Sequence, residues 1–475
     1  MVAPKRRAGW LRGLSLSSRP ILLFAFALAV MADPVSSVAY AIEAALRELG
    51  NDLALLLPTM ALVVAIIGLI IVNYHQLLAR FPQGGGAAAA VGVAFGEGFA
   101  FLPIAALIVD FALTIAISAA AGASALISYA PWLAAARVPL ALGLLVAVAG
   151  LTWFGHFGRT VFALMTLAFV AVGGVVVIGA LFAAPLAVPP TTATGHAAPL
   201  AVLLAFPVAM ALATGVEAPS SAIAQLGQLD NRGRRRFGRI TLWLTLIVVG
   251  GLTLGLTAAA VRLHVGVPAG ASTQIADLAR VSVSPPLFAL FQVVTTLLLL
   301  AAASSSYQAG PGLLKALARL PSSTGGPTGI LPAPLGTSNA HHTPYWGVGL
   351  FLLASGGVVV AAGGRDQQLV LFYAVAVFVS FLAGLLAMAR LALVDRALLS
   401  LAASLLGALV VAFTLAVDAT RLDADISLSV TLLLAAGLYL AWARAGRPRG
   451  IARAEAESEA WPSEGEQPTP ADLRT

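Results

Sequence analysis

Residues 21–46 read ILLFAFALAVMADPVSSVAYAIEAAL. A helix needs about 20 largely apolar residues to cross a bilayer, and this run supplies them. Asp33 and Pro34 nevertheless stand in its middle. Proline has no amide hydrogen and its ring clashes with the carbonyl one turn earlier, so a helix does not pass through it undisturbed. Pro34, Ser36 and Ser37 read as the opening of a second half-helix. The disturbance recurs at residues 214–219, TGVEAP, inside another apolar run. Two apolar spans broken at similar depth, each opening a set of five, are the pattern of an inverted-repeat membrane protein with its binding site at the breaks.

Composition extends this reading to the whole chain. Of 475 residues, 60% are hydrophobic and 10% charged, whereas a soluble domain carries about 25% charged residues. Mean hydropathy is +0.95. Twelve spans are predicted: 21–46, 53–72, 101–126, 138–154, 161–181, 200–226, 240–261, 287–314, 346–362, 369–388, 397–417 and 426–443. Helix is the reading because open sheet edges find no partners in hydrocarbon. The ten-residue alternating segments of a barrel are missing. Lys5, Arg6, Arg7 and Arg12 ahead of residues 21–30 resemble a signal peptide. With no small-residue cleavage site and apolar sequence resuming past Pro34, the run is read as a retained span. The transporter domain is assigned to 1–444, with repeats at roughly 20–182 and 199–390 and two added helices at 397–443. Residues 445–475 form a short polar tail, expected to be disordered. Residues 321–343, rich in Gly, Pro, Ser and Thr, are expected to be a flexible loop.

The formal charge of +7 is a topology signal. With the N-terminus inside, Arg80, Arg159, the cluster Arg232, Arg234, Arg235, Arg236 and Arg239, then Lys315, Arg319, Arg390, Arg396 and Arg444 fall on one side. Asp277, Asp366, Asp418, Asp423 and Asp425 fall on the other. The cation bias puts both termini in the cytoplasm of a multi-pass inner-membrane protein. Nucleic-acid binding would need a basic face on a soluble domain, and none is long enough. The absence of cysteine excludes disulfides, thiolate metal sites and cysteine nucleophiles.

Three carboxylates are placed at membrane depth: Asp33, Asp110 and Glu217. Each costs on the order of 2.5 kcal/mol or more there, so it implies a role. A structural carboxylate satisfied by amides freed at a break is the alternative for each. Asp110, Thr114 and Ser118 recur every fourth residue and share one helix face. Tyr40 lies two turns after Asp33, and Thr214 three residues before Glu217. Carboxylates, hydroxyls and freed carbonyls are all oxygen donors, suited to an alkali cation or a proton relay. For the hydroxyls, ordinary helix packing is an equal reading.

These residues carry a resemblance. Residues 31–40, MADPVSSVAY, resemble the first-helix motif of KimA-type potassium uptake permeases, within the amino acid–polyamine–organocation (APC) superfamily. FPQGGG (81–86) is similar to that family's loop before span three, ALIVDFALT (106–114) to its third helix, ATGVEA (213–218) to its broken sixth and LFYAVAVF (371–378) to its tenth. The resemblance implies a LeuT-like 5+5 fold, with helices 1 and 6 broken, and proton-coupled potassium uptake. By matching positions it implies a cation path lined by Asp33, Tyr40, Asp110, Thr114, Ser118, Thr214, Glu217 and Tyr373. Potassium would be held by Asp33, Asp110, Thr114 and Thr214, and Glu217 would carry the proton. The family's cytoplasmic domain after span twelve, which binds a cyclic dinucleotide, is not matched. Nucleotide control and the swapped dimer are therefore not implied, and a homodimer is left open.

The rival within the superfamily is an amino acid or polyamine permease. Amino acid permeases receive the substrate carboxylate on amides at a glycine-rich break in span one. Asp33 at that place would repel it, which favours an inorganic cation or a cationic amine. An enzyme is not expected. His341 and His342 lie in the loop, His75 stands alone, and Ser304, Ser305 and Ser306 have no His or acid at useful spacing. The serines read as helix packing or as part of a cation site in span eight, with Tyr307 and Gln308 beside them. No repeated filter motif suggests a channel. No cofactor is called for; the expected partners are the cation or small-molecule substrate, protons and the bilayer.

Overall fold

The computed structural model describes residues 19–154, 159–187, 197–226, 229–320 and 329–459. It is an all-α transmembrane fold. In chain order the helices are α1 (Arg19–Val30), α2 (Ala32–Ser36), α3 (Val38–Glu48), α4 (Leu53–Arg80), α5 (Gly86–Phe95) and α6 (Phe101–Tyr129). There follow α7 (Arg137–Trp153), α8 (Arg159–Phe182), α9 (Ala198–Ala209), α10 (Ala218–Ala222), α11 (Asn231–Leu263) and α12 (Gln274–Ser282). The last six are α13 (Pro285–Ala318), α14 (Tyr345–Ala361), α15 (Asp366–Val394), α16 (Leu398–Asp418), α17 (Leu422–Arg444) and α18 (Ala454–Glu459). Among the described residues ten helices are long and apolar enough to cross a membrane. The interrupted run α1–α3 and the 17-residue α14 are two further apolar segments.

Burial separates an inner from an outer set. The apolar windows of α6 and α15 are 72% and 75% buried inside the protein, whereas that of α17 is 17% buried. Small residues let the inner helices approach closely. α6 carries Ala105, Ala106, Ala116, Ala119, Ala120 and Ala123, all buried, and packs on both α13 and α15. α16 and α17 carry their large apolar side chains outward, with Leu399, Leu409 and Leu433 exposed, as lipid-facing helices do.

The two breaks are real but unequal. In the first run, regular helix is interrupted at Met31 and again at Ser37, yet both keep right-handed helical dihedrals and donate to the carbonyls of Ala27 and Asp33. Pro34 removes one donor without turning the chain, so α1–α3 is a kinked column, and the second half-helix opens at Val38. In the second run Thr214 leaves the helical region (φ −64°, ψ 140°) and Gly215 takes φ +75°. That is the left-handed region, which glycine enters without a Cβ penalty, and here the chain unwinds.

Two segments expected to lack structure carry defined contacts. Residues 321–328 lie outside the described residues, but 329–343 are pinned: Asn339 Nδ2 donates to Trp153 O at 2.8 Å and Thr343 Oγ1 to Thr152 O at 3.1 Å. The free carbonyls at the end of α7 supply these anchors, which composition alone does not reveal. The tail is not disordered throughout either. Ile451–Arg453 form a 3-10 turn leading into α18, with Ile451, Ala454 and Glu455 buried. Residues 460–475 lie outside the described residues.

Candidate functional site at the two helix breaks

The unwound turn at 214–217 lies against the α2 kink. A Cβ added to Gly215 would stand 2.8 Å from Asp33 Oδ2 and 2.9 Å from Pro34 Cδ, so only glycine fits between them. The two breaks are also joined by hydroxyls. Ser37 Oγ and Thr214 Oγ1 are 2.9 Å apart, and Tyr40 OH donates to Ser37 Oγ at 3.1 Å. Thr214 Oγ1 lies 2.8 Å from Ala211 O, to which it donates. Ser36 and Ser220 close the turns by donating to Asp33 O and Glu217 O, each at 2.7 Å.

Asp110, on α6, is buried and lies within electrostatic reach of both Glu217 and Asp33. Asp33 Oδ1, Asp110 Oδ1 and Glu217 Oε2 are each closed off from the surface without a hydrogen-bond partner among the described residues. An unpaired buried carboxylate is costly, and three together demand a counter-charge or protons. Among the described residues no amide freed at the breaks donates to Asp33 Oδ1. Thr114 is buried, and Ser118, one turn on, has a buried Oγ without a partner. Asp33, Tyr40 and Thr214 are thus gathered directly. Asp110 and Glu217 lie within Coulombic range, and Thr114 and Ser118 continue along α6. The side chain of Tyr373 lies outside the described residues, although its helix α15 packs on α3 and α6. Of the span-eight residues, Ser304 and Tyr307 are buried, and Tyr307 OH has no partner.

Polar contacts close the chain at either end of this centre. At one end Glu43 binds Arg47 at 2.7 Å and accepts the Gln274 amide at 2.8 Å. Nearby, Asp366 accepts from Ser124 at 2.7 Å and from Gln367 at 3.0 Å, and Gln367 reaches Tyr40 O at 3.4 Å. At the other end Ser221 donates to Glu455 of α18, and Glu455 lies within electrostatic reach of Glu217. Room for that carboxylate comes from Gly86, the last of three consecutive glycines with positive φ (Gly84–Gly86). Ser37 and Glu455 are the residues that sequence reading missed. Ser37 was visible beside Asp33, but nothing in a polar tail marked Glu455.

No family model matches the chain. Over 373 residues, 75% of its length, it is 30% identical to the potassium transporter KimA of Bacillus subtilis strain 168. The chain is similar to a potassium transporter. It spans 59% of that relative's length. The aligned share and the ten apolar helices agree on a multi-pass membrane protein.

Proposed function

We propose that this chain is a secondary transporter that takes up a monovalent cation with protons, potassium being the cation that best fits. The observation that carries the reading is the set of three partnerless buried carboxylate oxygens, on Asp33, Asp110 and Glu217, around two interrupted helices. Anionic oxygens and hydroxyls without a resident cationic side chain suit a hard cation that sheds its water on entry. The similar protein is named a potassium transporter. Asp33, Asp110, Thr114 and Thr214 would hold the ion, with Tyr40, Ser118 and Tyr373 lining its path. Glu217 would take the proton because it stands between the ion centre and Glu455.

The proposed frame is a LeuT-like pair of inverted five-helix repeats with α16 and α17 outside them. One repeat is α1–α3, α4, α6, α7 and α8. The other is α9–α10, α11, α13, α14 and α15. Each opens with an interrupted run, and each carries one short helix, α5 or α12, between its second and third members. The cation-rich loops would face the cytoplasm. Uptake of rubidium, as a potassium surrogate, into proteoliposomes tests the assignment against labelled amino acids and polyamines. Rubidium uptake driven by an inward proton gradient is the expected result. Transport of an amino acid or polyamine without rubidium would replace it.

A further inference from the structure

At the arginine-rich end of the bundle a pocket of about 310 Å³ opens between α4, α11, α15 and α16, with His75, Gln76, Arg80, Arg239 and Ser400 in its walls. Its polar groups are nearly all donors left over after internal bonding. His75 Nδ1 accepts from Trp243 Nε1 at 3.1 Å. Indole nitrogen only donates, so the neutral imidazole keeps its proton on Nε2 as a second donor. Gln76 Oε1 is taken by Ser400 Oγ, which leaves the amide NH₂. The pocket's acidic neighbour, Asp395, is engaged by Arg80. Arg239 has no such partner among the described residues, and its Nε is buried without a hydrogen bond to any of them. A guanidinium, an imidazole N–H and an amide NH₂ around one void describe a receptor for an oxyanion.

The surface beside the pocket says which oxyanion. From Arg239, an exposed apolar stripe runs along α11 through Ile240, Trp243 and Ile247, which are 38%, 39% and 67% exposed. Leu398 and Leu399, near Ser400, are also exposed. An ion pocket at the head of a lipid-facing stripe matches a molecule with a phosphate and acyl chains. Basic pockets between membrane helices bind anionic headgroups in this way. We propose that the pocket binds the phosphate headgroup of an anionic lipid through Arg239, His75 and Gln76, its acyl chains lying along α11.

Native mass spectrometry of the detergent-purified chain tests this with added phosphatidylglycerol, phosphatidylcholine or inorganic phosphate. Wild type should retain phosphatidylglycerol over phosphatidylcholine. Arg239→Gln should lower that retention about fivefold, while Arg239→Lys and Arg236→Gln, the latter in the exposed cluster, should keep it. If Arg239→Gln does not fold, His75→Phe, which retains a ring against Trp243, should also lose retention. Equal retention of phosphatidylglycerol in wild type, Arg239→Gln and His75→Phe would overturn the proposal, as would equal retention of the zwitterionic lipid. Displacement by equimolar inorganic phosphate would overturn the lipid as its source.

Discussion

Asp33 and Glu217 are the residues on which the cation reading can fail. Replacing Asp33 by Asn keeps its volume and removes its charge. Uptake should fall to background while the protein still inserts and purifies, and normal uptake rates would remove Asp33 from the ion site. Glu217→Gln should flatten the dependence of uptake on external pH, because a permanently neutral side chain has no proton to exchange; an unchanged profile would reassign that step. Gly215 makes a separate prediction. Its φ of +75° and the 2.8 Å approach of a would-be Cβ to Asp33 leave no room for a methyl group. Gly215→Ala should lower stability by about 1 kcal/mol or more and depress uptake. A thermal melt in detergent reads the first effect and rubidium flux the second.

Among the elements, α18 is where the structure departs most from what composition suggested. A six-residue helix is too short to hold itself together in water, so its order derives from docking against α13, α5 and α10, with Ile451, Ala454 and Glu455 as anchors. If it closes the arginine-rich mouth, removing it should expose α10. The chain has no cysteine, so Ala222→Cys supplies a unique label in a buried position. Truncation at Gly450 should speed maleimide labelling at that cysteine by about tenfold, which corresponds to about 1.4 kcal/mol in the local opening equilibrium. Equal labelling with and without the segment would make α18 a bystander. The breaks teach a related lesson. Pro34 announced one plainly, but that run only kinks; Gly215, a less conspicuous signal, is where the backbone unwinds.

For the whole molecule, the testable property is orientation. The cation bias predicts that residues 264–273 face outward and 329–344 inward. An impermeant maleimide applied to right-side-out vesicles should label Ala269→Cys and spare Ala340→Cys. The reverse pattern would invert the topology and, with it, the direction assigned to transport. Both positions are exposed in the fold, so a difference in labelling would report the side of the membrane.

Hydrophobic length, proline at mid-span and acids at membrane depth were decisive from the sequence alone, because lipid offers no partner to a polar group and tolerates few exceptions. They sufficed for the helical membrane class and for nominating Asp33, Asp110 and Glu217. What required the tertiary structure was proximity: Ser37 reaching Thr214 across 177 positions, Asp33 against Gly215, and Glu455 docked beside Ser221. Contacts between distant segments depend on how helices pack, and no local pattern of residues encodes that distance.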